Sequence, residues 1–189
     1  MGINWGRKLF HIASSLFFFG LLKFLQKPYF QIFLLFTAGL VLLWEFLRLR
    51  FPAILPFKSL WESLLKESEK KTLSDALFFI LGVLISSLML SGDPLGVAIL
   101  ILGISDPLAA ITGAYLKRGP TFKNKSLSGT LSFFLSSFTI ALFFLKAPLS
   151  SLLGLSLFLS LVELFTTRDN LWIPIACAVY LRIFDTLTF

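Results

Sequence analysis

Residues 97–119 read VAILILGISDPLAAITGAYLKRG, and the reading of this stretch decides what kind of molecule the chain makes. Eight apolar or glycine residues run up to Ser105 and the acid Asp106, after which the apolar text resumes and stops at Lys117 and Arg118. In a soluble domain a helix this greasy needs a polar shell around it. The rest of the chain offers none, because 57% of its 189 residues are hydrophobic and 23 are Phe, with a mean hydropathy of +0.88. That is more than a soluble domain of this size can hide. The stretch is therefore read as crossing a hydrocarbon layer, with a carboxylate inside it.

Working outward, six more runs are long enough, or nearly so, to cross a core that takes about 20 residues. The seven lie at roughly 9–25, 29–47, 73–90, 94–116, 130–145, 149–165 and 171–187. Backbone groups in lipid must be paired within the segment, and nothing alternates as barrel strands do, so the spans are helices. The first run follows Arg7 and Lys8 as a signal peptide would, but no small-residue cleavage site follows it, and it is kept as a span. No internal repeat interrupts 1–189, which is read as one integral-membrane domain. The lone Cys177 excludes an internal disulfide and a cysteine metal cluster. The expected fold is all-α, a polytopic bundle of about seven transmembrane helices.

Charge gives the orientation. Of the 17 Lys and Arg, thirteen fall at 7–8, 48–71, 117–125 and 168, on one side of the seven-span scheme, and four (Lys23, Lys27, Lys146 and Arg182) on the other. By the positive-inside rule the N-terminus and the first set of loops are expected to be cytoplasmic, in a cell (inner) membrane. The net charge of +7 then faces anionic headgroups or phosphates, and no nucleic-acid partner is expected. The loop PFKSLWESLLKESEKK places Phe57, Leu60, Trp61, Leu64 and Leu65 at helical spacing, which predicts an amphipathic helix lying in the interface.

Asp106 followed by Pro107 is the pattern of a cap and first turn, so the fourth span is expected to be broken there, with free N–H groups beside the acid. An acid at that depth, with no cation within a turn of its own helix, marks a functional site. Gly113 permits close approach by a helix or a ligand. Further on, Lys123 and Lys125 precede Ser126 and Gly129 in KSLSGT, where cations and the first N–H groups of the fifth helix would receive a phosphate. Glu163, Asp169 and Asn170 flank the sixth and seventh spans on that same side, and Arg7, Lys8 and His11 open the first. Glu45 with Arg48 reads as a structural ion pair.

Taken together, RKLFH at 7–11, EKKTLSDALFFILG at 69–82, SDPLAAITGAYLKRG at 105–119, KSLSGT at 125–130 and ELFTTRDNLWIP at 163–174 resemble the CTP-dependent lipid alcohol kinases, the family of dolichol kinase, phytol kinase and CTP-dependent diacylglycerol kinase. The resemblance spans nearly the whole chain and implies phosphoryl transfer from CTP to a membrane-embedded lipid alcohol. It further implies Mg²⁺ or another divalent cation, with Asp106, Glu163 and Asp169 as metal ligands and catalytic acids, and Asn170 as an orienting group. Lys125, Arg7 and Lys8 would hold phosphates, with Lys123 in support. One of the carboxylates or His11 would take the hydroxyl proton. The family often carries Glu where this chain has Ser128, which leaves the negative charge to the three acids. Two other readings stay open: a cytidylyltransferase acting on phosphatidate to make a CDP-lipid, and a small cation transporter built around the intramembrane Asp106.

Overall fold

The computed structural model describes residues 3–116, 121–122 and 125–185. Helix α1 (Trp5–Phe24) starts where the Asn4 side chain accepts the Arg7 N–H at 3.1 Å, and α2 (Lys27–Arg50) carries Pro28 in its first turn. The connecting segment holds α3 (Lys58–Leu64) and a 3₁₀ turn (Glu67–Lys71). Then come α4 (Asp75–Met89), α5 (Gly92–Leu100), a π turn (Ile101–Ser105) and α6 (Asp106–Tyr115). A two-residue antiparallel ladder, β1 (Thr121–Phe122) on β2 (Lys125–Ser126), leads into α7 (Leu127–Phe144), followed by α8 (Leu149–Phe165) and α9 (Asp169–Asp185). Among the described residues the regular structure is all helical apart from that ladder.

Each of the seven apolar runs lies on helix. Three stretches are long and apolar enough to cross a membrane, namely Lys27–Arg50, Gly92–Tyr115 and Leu127–Phe144, while Asp75–Met89 and Leu149–Phe165 are apolar but shorter. The central one is Gly92–Tyr115, two-thirds buried against about a fifth for the other two. Its glycines let neighbours touch its backbone. A methyl group on Gly103 would stand 2.0 Å from Ser15 Cβ, and one on Gly96 2.8 Å from the Phe19 ring. The outer faces carry Leu35, Phe36, Leu131, Phe143 and Leu157, all exposed, an apolar exterior suited to lipid rather than water.

The fourth span is not broken as the Asp-Pro pair predicts. Ser105 and Asp106 both keep right-handed helical angles, and the helix runs through them by way of the π turn. That wider turn is where the chain accommodates Pro107, which has no N–H to donate to the preceding turn. The Leu102 carbonyl on this turn is met instead by His11 Nε2 at 3.2 Å. No half-helix with free N–H groups begins beside Asp106.

The amphipathic segment is also shorter than its spacing predicts. Phe57 adopts a left-handed conformation (φ 55°) before α3, leaving it and Pro56 outside the helix. Phe57 and Leu60 point outward, whereas Trp61 packs edge-on against Trp44 and the Ser63 carbonyl accepts from Asn4 Nδ2 at 2.7 Å. The segment is pinned to the bundle on one side and presents its apolar residues on the other. Below it, the buried Glu45–Arg48 pair does structural work. Arg48 donates to the carbonyls of Glu69 (2.9 Å) and Thr72 (2.7 Å), and Glu45 accepts the Ser74 N–H at 3.3 Å. These bonds tie the end of α2 to 69–74 and so hold Lys66 and Asp75 in place. A buried charge pair bonded to this much backbone is costly to break from one side.

Candidate functional site

At the end of the bundle where α1, α4, α7 and α9 begin, a cavity of about 600 Å³ opens between α6, α7 and α9. Lys125, carried in by the ladder, is at its centre. Its Nζ lies 2.8 Å from Glu163 Oε1 and 3.0 Å from both Asp169 oxygens, and it also donates to the Glu163 carbonyl. Burial lowers the Lys125 pKa, but the Asp169 and Glu163 carboxylates outweigh it and raise it above the ordinary value, so this ammonium stays charged. Thr166 Oγ1 donates to Asp169 Oδ1 at 2.7 Å and fixes the acid from behind.

Across the cavity stands a second group. Asp75 accepts from Arg7 at 2.8 Å and from Lys66 at 2.5 Å, and Asn170 Nδ2 donates to the Asp75 backbone carbonyl at 3.1 Å. Lys8 Nζ is 3.5 Å from Asp106 Oδ2. The acid thus has a cation from α1, although none lies within a turn on its own helix. Between the two groups α6 offers only small residues, Ala109, Ala110, Gly113 and Ala114, which leaves the space open.

The structure brings together ten of the twelve residues singled out from sequence as candidate site residues. Arg7, Lys8, Asp106, Gly113, Lys125, Ser126, Gly129, Glu163, Asp169 and Asn170 all line the cavity. His11 does not. Its ring lies outside the cavity lining, with Nε2 3.2 Å from the Leu102 carbonyl and the ring edge-on to Phe79 at 5.8 Å. Lys123 lies outside the described residues. Gly113 and Gly129 serve helix packing: a Cβ on Gly113 would meet Ser126 Oγ at 2.5 Å, and one on Gly129 the Ala109 carbonyl at 2.8 Å. They close the α6–α7 seam.

Two charged cavity residues escaped the sequence reading. Asp75 opens α4 on the same side as the other charges, and an acid in a first helical turn there was the available signal. Lys66 looked like one more solvated loop cation, and only the fold turns it inward.

The three-carboxylate metal set does not form. Among the described residues no group of three or more His, Cys, Asp or Glu is arranged to hold a metal, because Lys125 stands between Glu163 and Asp169 while Asp106 faces Lys8. Yet Glu163 Oε2 is buried without a hydrogen-bond partner, and the Lys8–Asp106 contact is long. Mg²⁺ commonly takes one or two carboxylates and completes its shell with substrate phosphates and water. The residues fit that looser arrangement and not an all-protein cage.

No family model, curated protein or solved structure matches the chain. What the cavity can do therefore follows from its own charges. Four cations (Arg7, Lys8, Lys66, Lys125) face four carboxylates (Asp75, Asp106, Glu163, Asp169), so the lining is formally neutral. A polyphosphate entering alone would displace carboxylates from their cations. With a divalent ion beside it, the displaced carboxylates regain a positive partner.

Proposed function

We propose that the protein is an integral-membrane phosphotransferase that moves the γ-phosphoryl group of CTP to the hydroxyl of a lipid alcohol of the polyprenol, phytol or diacylglycerol type. The observation that carries this reading is the placement of the four-cation, four-carboxylate cavity at one end of an apolar bundle, where a soluble nucleotide and a lipid hydroxyl can meet. The choice of CTP and of an alcohol acceptor comes from the sequence resemblance. In this reading all seven apolar helices span the membrane, and the cavity faces the cytoplasm.

Phosphoryl transfer asks the protein mainly to position the nucleophile and to neutralise charge. Lys125, Arg7, Lys8 and Lys66 leave their carboxylates for the phosphate oxygens, to which each can give a charge-assisted hydrogen bond. A divalent cation, held by Glu163 or Asp106 together with the phosphates, would supply Lewis-acid stabilisation of the transferring group. The alcohol oxygen attacks the γ-phosphorus and its proton passes to a cavity carboxylate, with Asp106 the best situated between α1 and α6. CDP leaves with the bridging electron pair. The gathering of charge at one end, rather than through the depth of several spans, is what a transporter built on Asp106 would lack.

The deciding experiment incubates purified protein in lipid with Mg²⁺ and CTP labelled at either the α- or the γ-phosphate, against a panel of geranylgeraniol, phytol, polyprenol, dolichol and diacylglycerol. Label from the γ-position in lipid is the expected result. Label from the α-position would replace the kinase with a cytidylyltransferase, and label from neither would remove the enzymatic reading.

A further inference from the structure

On the outer side of α6 and α7 lies a second concavity, about 630 Å³, which the charged cavity does not include. Ile104 of the π turn, Leu108 of α6 and Leu116 just beyond it form one wall, and Leu131, Leu135 and Ile140 of α7 the other. Its bed carries hydroxyls. Thr112 Oγ1 donates to Ser132 Oγ at 3.1 Å, and Ser136 and Thr139 donate to carbonyls one turn back on α7. Ser128, Ser132 and Ser136 are small, and their spacing of four keeps them on one face. The groove runs from Ser128 to Ile140, about 18 Å at the helical rise per residue.

The two cavities converge at one place. Ser126 lines the charged cavity and Ser128 the groove, and their hydroxyl oxygens are 3.1 Å apart. Elsewhere the α6–α7 seam is shut by the close approaches at Gly113 and Gly129. Among the described residues the two linings adjoin at this Ser126–Ser128 corner, where Ser128 Oγ also donates to the Leu116 carbonyl at 3.4 Å. We infer that this groove seats the hydrocarbon chain of the lipid alcohol and delivers its hydroxyl over the Ser126–Ser128 corner to Lys125 and Asp106. The inference rests on the proposed phosphotransfer and adds the path and the chain selectivity.

Lipid tails are as apolar as the groove, so leaving the bilayer for it brings no hydrophobic gain. What the groove supplies is position, because a tail held along α7 fixes where its head group emerges, and such alignment is worth more to a rate than to affinity. Selectivity for long chains should then be read in kcat/KM. A short alcohol that ends before Ser136 gains nothing from the groove's far half.

The test is Ser136→Trp, with Leu157→Trp on the exposed face of α8 as a control, assayed in lipid with geranylgeraniol and with geraniol. The expected result is a fall of at least about ten-fold in kcat/KM for geranylgeraniol, with geraniol turnover unchanged and the control variant normal for both. Retained geraniol turnover also shows that the variant is folded, and if it is lost the milder Ser136→Leu decides by the same ratio. Equal effects on the two alcohols would overturn the groove while leaving the phosphotransfer intact. Disulfide-linked dimers from Ser136→Cys in a Cys177→Ser background would overturn it too, by showing a second copy in that place. Failure of the unaltered protein to phosphorylate either alcohol would bring down both readings together.

Discussion

The bundle has a sizeable cavity at each end, and the two differ in almost everything except volume. One measures about 600 Å³ and collects four cations and four carboxylates from α1, the segment at Lys66, α4, α6, β2, α8 and α9. The other, about 720 Å³, is bounded by Leu90, Phe144, Pro148 and Tyr180 and among the described residues has only Asp93 and Lys146 as charged lining. Asp93 pairs with Lys23, but both side chains are about half exposed, and a pair so wet contributes little. Lys125 and Glu163 are 20% and 6% exposed. Holding charges at that depth costs stability unless each finds a partner. A fold that accepts this cost at one end and avoids it at the other has a use for the first, and that use is not explained by room alone.

The most complete break of the comparison is topological, since accessibility is all-or-none. Ser68→Cys and Lys146→Cys, each in a Cys177→Ser background, should react with a membrane-impermeant thiol reagent from opposite faces, Ser68→Cys from the cytoplasmic one. Reaction of both from the same face would dissolve the distinction between the ends.

Next in size is the effect on turnover. Asp106→Asn should lower phosphotransfer at least about a hundred-fold, as expected when a group placed for the transition state is removed, while Asp93→Asn leaves it unchanged. Because Lys8 lies against Asp106, the Asn variant should melt at the same temperature or somewhat lower without ligand. Equal activity in both variants would make the carboxylate structural and move the chemistry to Glu163 and Asp169.

The smallest effect sharpens the comparison through pH. Burial, reinforced by hydrogen bonding and repulsion from the Asp75 carboxylate, pushes Glu69 up to about 6, although the Lys66 N–H and the Arg7 charge oppose it. An acid whose folded value is raised binds its proton more tightly in the native state. Its contribution to stability is thus full below about 4.5 and is lost as pH rises through about 6. In Glu69→Gln the amide accepts the same Lys66 N–H and can donate to Asp75 at every pH. The variant should lose less stability than the parent between those values, a difference of about 2 to 4 °C in Tm. Parallel curves for the two would place Glu69 outside the charged end's proton balance.

Much of this was legible in the residues because hydrophobic runs and side-chain charge are local properties. The runs place the seven apolar helices within a few residues, and alternation of the loops puts Arg7, Lys125, Glu163 and Asp169 at one end. What stayed hidden depends on rotation and reach. Whether Lys66 faces solvent or Asp75 is set by the Arg48 bonds to the 69–72 backbone, which no spacing reveals. His11 looked available because it shares a helix face with Arg7, but the π turn presents it with a carbonyl. The Asp-Pro pair signalled a disturbance in the helix, and its kind, a widened turn in place of a break, depended on what neighbours could satisfy.

That widened turn makes residue count, rather than residue identity, the quantity that aims Asp106. On the near side the helix is locked by the fit of Gly96 on Phe19 and Gly103 on Ser15, and on the far side by Gly113 and Gly129. Each residue of an α-helix advances the direction of its side chains by about 100°. Winding the same five residues of 101–105 at ordinary α pitch would turn the two locked halves against each other by roughly that angle, and neither has slack to absorb it. Homologous chains that keep this cavity should therefore keep Gly103, and should either retain the widened turn or lose one residue from 101–105 together with it.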